Sequence, residues 1–348
     1  EDSFLHNVNS KKTVHIATDF SNAPNKFVPD FELFLNGLQE AGENEFFYFS
    51  DLENKKNHYK ETFKNYLKLF KLIRTSDQVV FHSLPTRIAR IAFPLMKLGT
   101  PCYMAVWGGE VYFKGTSDKS LRQYVSELIE SFFIKSLDGL ITSIDADYKS
   151  ICEKYGKNYK RLKPKVFYPS NVVPENIKEI NFEDKKYIMV GTSALERNNH
   201  IRVLTDIAKV GLPKGKVIFL PLSYGDSKYA EHVEATARQL FKDHELYIEH
   251  DFISLLEYQN ILNKVSIALF DNDGQQGLGN IRNLLYFGAK VYLKAGSVSY
   301  DFLTKQGFKV FIIDDLDFCD DSFSKRNKEV AMSYYSKAIL ERSLLEIF

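Results

Sequence analysis

The chain reads as an α/β protein of two doubly wound, Rossmann-like domains facing each other across a cleft. Three observations predict this. Short apolar runs alternate with helical patterns through the first half; a charged, Pro-containing segment at 157–174 breaks that rhythm; the same alternation then restarts. Short apolar strands separated by helices imply parallel βαβ units with both sheet faces covered. A length of 348 residues exceeds one comfortable core, so two domains are expected. The expected boundaries are 1–172, 173–323 and a C-terminal helical segment, 324–348.

In the first half, strands are predicted at 13–17 (TVHIA), 45–49 (EFFYF), 78–81 (QVVF), 101–106 and 139–142. Helices are predicted at 31–40 (behind Pro29), 60–74, 87–98 and 121–135. In the second half the strands are 187–190, 217–220, 245–248, 266–270, 290–293 and 310–313, and the helices 199–210, 229–241, 255–263 and 281–287. The last 25 residues read as one polar-faced helix or a pair. Ligands of such sheets bind beyond the carboxyl ends of the strands, so the post-strand loops are where chemistry is sought.

Composition excludes several classes. With 46 basic and 45 acidic residues, no global basic field points to nucleic acid. Three scattered cysteines give neither a disulfide framework nor a zinc signature and fit a reducing compartment. No apolar run approaches the roughly 18 residues of a membrane span, and no signal peptide is visible.

The most informative stretch is 266–293, SIALFDNDGQQGLGNIRNLLYFGAKVYL. A buried strand breaks into a Gly-rich loop that opens a helix. Glycines let backbone amides approach an anion, and the free N–H groups of a helix start favour negative charge. Gly277 and Gly279 are placed against a diphosphate, and Gln275, Gln276 and Asn280 offer neutral partners for sugar hydroxyls. Three further loops join this edge. VGTSALERNNH supplies Gly191, Ser193, Arg197 and Asn199, although an Asn there also caps a helix. LPLSYG supplies Ser223 and Tyr224, and HDFISLLEY supplies Phe252, set to stack on a base, and Tyr258. Together they outline a pocket for a nucleoside-diphosphate sugar.

Asp271 and Asp273 match a D-x-D pattern used by some transferases for a divalent metal. The Gly-rich turn neutralises phosphate without an ion, so no metal or other cofactor is expected. In the first half, Asp19, His82 and the run Val106-Trp107-Gly108-Gly109-Glu110-Val111-Tyr112 each follow a strand. Glycosyl transfer needs a base to take a hydroxyl proton, and Glu110 beside the single tryptophan is the first candidate, followed by Asp19 and His82. His82 also fits a satisfied core position. Trp107 and Tyr112 would carry the acceptor sugar. The helix at 60–74 places Lys60, Lys64, Lys68 and Lys71 on one face, either an ordinary solvated face or a contact with anionic headgroups. A second basic cluster, Lys157 to Lys165, could join it.

The ordered motifs FHS, VWGGEVY, VGTSALERNNH, LPLSYGD and FDNDGQQGLGNI…LLYFGAKVYL resemble glycosyltransferase family 56, from about residue 14 to 313. That resemblance implies a GT-B architecture, a dTDP-sugar donor and an undecaprenyl-diphosphate-linked saccharide acceptor at the cytoplasmic face of the inner membrane. It assigns Gly191, Ser193, Asn199, Ser223, Tyr224, Gln276, Gly277 and Gly279 to the donor pocket. The family usually carries Asp where this chain has Glu110, a carboxylate of longer reach.

The expected function is therefore metal-independent sugar transfer from a dTDP- or UDP-linked donor to a lipid-linked or polysaccharide acceptor in bacterial surface-glycan assembly. Peripheral contact with inner-membrane lipids is expected, and none with nucleic acid. Two rivals are a nucleotide-sugar epimerase on the same fold, which would turn over donor alone, and a non-catalytic relative that binds donor without consuming it.

Overall fold

The computed structural model describes residues 11–18, 27–49, 59–97, 99–108, 120–318 and 324–348. They form two compact units: Asn171–Ser336 is one, and the residues up to Ser170 with Lys337–Phe348 are the other.

The first unit runs β1 (Lys12–Thr18), α1 (Val28–Asn36), β2 (Glu43–Phe49), α2 (Tyr59–Arg74), β3 (Gln78–Phe81), α3 (Arg87–Met96), β4 (Cys102–Ala105), α4 (Leu121–Ser136), β5 (Gly139–Ile141), α5 (Asp145–Tyr155) and β6 (Lys160–Leu162). All strands are parallel, in the order β2-β1-β3-β4-β5-β6. Right-handed crossovers put α2, α3 and α4 on the same sheet face. There Leu69, Ile73, Phe93, Phe133 and Ile134 pack over Phe81 and Met104.

Two elements here were not expected. β6 lies in the segment read as a crossing; its KRL sequence suits a sheet edge, where lysine and arginine discourage further pairing. α5 begins at Asp145-Ala146-Asp147, where Asp145 binds Arg161 at 2.7 Å and Lys163 at 2.8 Å.

The second unit runs β7 (Tyr187–Val190), α6 (His200–Val210), β8 (Val217–Pro221), α7 (Ser227–Leu240), β9 (Leu246–Glu249), α8 (Leu255–Asn263), β10 (Val265–Phe270), α9 (Leu278–Tyr286), β11 (Lys290–Leu293), α10 (Val298–Lys305), β12 (Phe311–Ile312) and α11 (Ser324–Tyr335). Its parallel order, β12-β11-β10-β7-β8-β9, reverses direction between β7 and β10. That is the switch point at which doubly wound sheets bind ligands. β7 and β10 are the central strands, and Ile188, Val190, Ile267 and Leu269 sit in the core between the helix layers.

The last helix, α12 (Lys337–Leu345), belongs to the first unit. Behind it, the Ile347 carbonyl accepts from Lys11 Nζ at 2.8 Å, and the Phe348 ring meets His15 edge-on at 4.9 Å. The C-terminal segment is thus a pair of helices shared between the units. Among the described residues no helix is long and apolar enough to cross a membrane.

Candidate functional site

The site grows from the carboxyl ends of β7 and β10. β7 ends at Gly191, whose φ of +67° suits glycine; a Cβ there would lie 2.3 Å from His200 Nε2. The loop continues through buried Thr192 and Ser193, and Asn198 Nδ2 donates to the Ser193 carbonyl at 2.9 Å. It starts α6 at Asn199, the one non-glycine residue with positive φ among the described residues. Asn199 does not cap α6. Its Nδ2 turns to the Asp271 carbonyl at 2.8 Å and so ties the two loops together.

β10 runs fully buried into Asp271 and Asn272, and the loop is anchored from behind: Ser299 Oγ donates to the Gly274 carbonyl at 3.0 Å. It opens α9 at Gly277, with φ +70°, where a Cβ would come within 2.4 Å of Thr192 Cγ2. The two glycines therefore permit the close approach of backbone to side chain that brings these loops together.

The helix starts differ in a telling way. In this unit α7, α8 and α10 are capped by the side chains of Asp226, Ser254 and Ser297. α6 and α9, both at the switch point, begin at a left-handed residue with no side-chain cap. Uncapped first-turn N–H groups carry the positive end of the helix dipole and suit an anion.

Unsatisfied polar atoms gather in the same place. Among the described residues, nine have a buried side-chain N or O without a hydrogen-bond partner, and five of them (Asn198, His200, Asp271, Asn272 and Gln276) lie in these loops or at the start of α6. Groups left this way inside a protein are costly, and here they cluster at the switch point.

The ionised side chains beside these loops are paired, and the imidazole among them is neutral. Burial pushes the His200 imidazole down to about 4, leaving it uncharged, with Nδ1 3.4 Å from the Tyr229 hydroxyl. Asp271 binds Arg202 at 2.8 Å; burial raises its carboxyl pKa and the guanidinium offsets this only in part. Arg202 also pairs with Asp314 and is itself held more firmly charged. Exposed Asp273 pairs with Lys294 at 2.7 Å. Each D-x-D carboxylate thus has a cationic partner, which Asp271 shares with Asp314.

Around this centre stand the other expected donor residues. Ser223 and Tyr224 line a pocket of about 360 Å³ with Ala194, Gly225 and His250. Tyr224 and Phe252 stack at 6.1 Å with an 11° interplanar angle and are largely exposed. Tyr258 accepts from Asn280 Nδ2 at 3.0 Å, and burial raises the Tyr258 pKa. Gly279 sits by Asn171, with a Cβ position 3.4 Å from Oδ1. Gln275 and Gln276 are half-buried in the loop, and Arg197 lies exposed in the turn before Asn198.

In the first unit, Asp19, Glu110 and Tyr112 lie outside the described residues. His82 is fully buried, which corrects its reading as a base open to substrate. Its Nδ1 accepts from Tyr168 Oη at 2.9 Å, its Nε2 donates to His15 Nδ1 at 3.0 Å, and His15 Nε2 donates to Asn44 Oδ1 at 3.0 Å. The direction follows from Asn44, whose Nδ2 is committed to the Ala41 carbonyl at 2.7 Å. Both His82 nitrogens are used, and burial lowers its pKa well below the usual value. Its carbonyl instead receives Trp107 Nε1 at 2.5 Å, while Tyr168 lies 4.5 Å from the indole. His82 therefore holds the half-buried Trp107.

His200 and Arg202 stand beside these loops and were missed by sequence reasoning. For Arg202 the signal was a cation in the first turn of a helix, a place that disfavours positive charge unless a carboxylate waits there.

Two doubly wound parallel sheets of this order give the chain the GT-B fold. The structure of Anabaena HepE in complex with UDP and glucose is similar over 95% of this chain and 98% of that one, at 10% identity and a TM-score of 0.63. Sucrose-phosphate synthase from Thermosynechococcus elongatus is similar over 97% and 98%, at 9% identity and 0.63. WaaG, a glycosyltransferase involved in lipopolysaccharide biosynthesis, is similar over 96% and 93%, at 13% identity and 0.53. Residues 77–332 match the family described as 4-alpha-L-fucosyltransferase, glycosyl transferase group 56, and the chain belongs to that family. It is a hexosyltransferase-type enzyme of glycan biosynthesis.

Proposed function

We propose that the protein moves a deoxy or acetamido sugar from a dTDP- or UDP-linked donor to a lipid-linked or polysaccharide acceptor of the bacterial surface, without a metal ion. The observation that carries this is the pair of uncapped helix starts, α6 and α9, side by side at the switch point. Their N–H groups would hold the diphosphate and stabilise the charge that grows on it as the glycosidic bond breaks. His200 Nε2 and Asn272 Nδ2, both without protein partners, would add contacts. The commitments of Asp271 to Arg202 and of Asp273 to Lys294 support a metal-free site. The Tyr224–Phe252 pair offers a face to a base ring. Glu110, or Asp19, would take the acceptor proton, with Trp107 and Tyr112 beside the acceptor sugar. The protein would work on the inner face of the cell membrane, where a lipid-linked acceptor is presented.

A thermal-shift panel of dTDP, UDP, GDP and CMP tests the reading. We expect dTDP or UDP to give the largest stabilisation, unchanged by EDTA. No shift with any nucleotide would overturn the pocket, and EDTA-sensitive transfer restored by magnesium would overturn metal independence. In a transfer assay, Glu110→Gln should keep the nucleotide response and lose about two or more orders of magnitude in turnover. Consumption of donor without acceptor, giving an isomer, would make the enzyme an epimerase.

A further inference from the structure

Of the seventeen large apolar side chains exposed on the described surface, eight lie on α3 and α4, two helices packed side by side in the first unit. Ile88, Ile91 and Leu95 recur at helical spacing on α3, and Leu121, Leu128 and Phe132 do so on α4. The opposite faces are already apolar and used: Phe93 of α3 and Phe133 and Ile134 of α4 are fully buried in the core. A helix in contact with water ordinarily needs one apolar stripe, and these two carry a second one facing outward. The patch starts where the acceptor-side loops begin. Arg87 Nη2 donates to the Arg122 carbonyl at 3.3 Å, so the N-terminal ends of α3 and α4 meet beyond the carboxyl ends of β3 and β4.

Charge identifies the occupant. From Lys64 to its end, α2 carries four cationic side chains, α3 carries two more, and neither stretch contains an acidic residue. In α4, Arg122 and Lys135 balance Glu127 and Glu130. This sheet face is therefore strongly cationic in a chain whose totals are 46 basic and 45 acidic. Lys64, Lys68 and Lys71 are exposed. We infer that the α3–α4 face inserts into the interfacial layer of an anionic bilayer, with the cationic face of α2 resting on the headgroups. Apolar side chains, including the aromatic Phe132, would enter the acyl boundary while lysines bind phosphate, as in interfacial helices. A second copy of this cationic face would repel it, whereas acidic headgroups match it. The inference deepens the lipid-linked acceptor reading and rests on it for its purpose: the face would set the acceptor-side loops at the membrane surface.

The test is co-sedimentation of the full chain with vesicles of phosphatidylcholine, or of equal parts phosphatidylcholine and phosphatidylglycerol. Leu95→Gln with Leu128→Gln, and Lys68→Glu with Lys71→Glu, are compared with the parent protein. We expect at least about tenfold stronger partitioning onto the anionic vesicles. The leucine pair should lower it by about tenfold or more, and the lysine pair by roughly fivefold or more per residue, with high salt acting like the lysine pair. The nucleotide-induced thermal shift should be the same in all variants, which verifies folding and tests the donor pocket separately. Absence of vesicle binding in the parent, or undiminished binding of the leucine pair, overturns the inference. Self-association abolished by the leucine pair, without vesicle binding, makes a second copy the occupant and also overturns it.

Discussion

Asp271 meets Arg202 at 2.8 Å through one carboxylate oxygen, while its other oxygen, sealed from solvent, has no hydrogen-bond partner. A fully buried carboxylate thus depends on one half-exposed guanidinium on the neighbouring helix. Arg202→Met would leave that charge uncompensated. The expected loss is about 1–3 kcal/mol, below that of a fully buried pair because water already screens Arg202. Asp271→Asn, which removes the buried charge and keeps the shape, should stay within about 1 kcal/mol of the parent. Urea midpoints measure both. Equal stability of Arg202→Met and the parent would mean that the pair holds nothing.

Gly277 and Thr192 form a steric lock. Gly277→Ala introduces a Cβ 2.4 Å from Thr192 Cγ2 at a φ of +70°, so it should cost about 1–3 kcal/mol before any ligand is considered. The variant should therefore lose melting temperature as well as donor binding. Adding Thr192→Ser removes the colliding methyl and should return part of the loss. A double variant no more stable than additivity requires would mean that φ strain alone is responsible.

Phe252 stacks on Tyr224 at the surface, so replacing it should spare the fold and affect only a bound ring. Phe252→Ala is expected to leave the melting temperature unchanged and to weaken nucleotide binding by about tenfold, at the low end of base–aromatic stacking. Titration calorimetry with dTDP and UDP reads the effect. Unaltered affinity for both would remove the aromatic pair from the base site.

Three buried histidines make stability depend on pH. Burial holds His15 down to about 3 and His200 down to about 4, and His82 is also lowered. The unfolded chain binds protons at these groups near the ordinary value of 6.5, while the folded chain does not. Their stabilising contribution is therefore complete above about pH 6.5 and falls as pH drops toward 4. Urea midpoints at pH 7, 6 and 5 should decline steadily, before most carboxylates titrate. His200→Gln should flatten the slope by about one-third. A flat profile from pH 7 to 5 would show that these rings are protonated in the fold.

Strands that fill the centre of each sheet were legible because their sequences are continuous apolar runs. β10, buried at all six positions, is the clearest, and the Gly-rich loop that follows it was legible for the same local reason. β6 was not, because an edge strand written KRL looks like a solvated linker. α10 was missed since its start depends on Ser297 capping a short, weakly apolar stretch. The site was legible as a set of loops but not as a set of contacts. His82 looked available because it follows a strand; the partner that occupies its Nε2 is His15, 67 positions earlier. The closeness of Gly277 to Thr192 and the Arg202–Asp271 pair arise only when β7 and β10 lie side by side, which no local pattern encodes.

The return of α12 to the first unit has a consequence for biosynthesis. The second unit is one uninterrupted stretch and can fold as soon as it leaves the ribosome. The first unit waits for Ile347 and Phe348, which are translated after all of its partner. At ordinary elongation rates that delay is roughly ten to forty seconds after Ser170 is made. Until then the rings of His15 and Phe31 lack their edge-on contacts with Phe348.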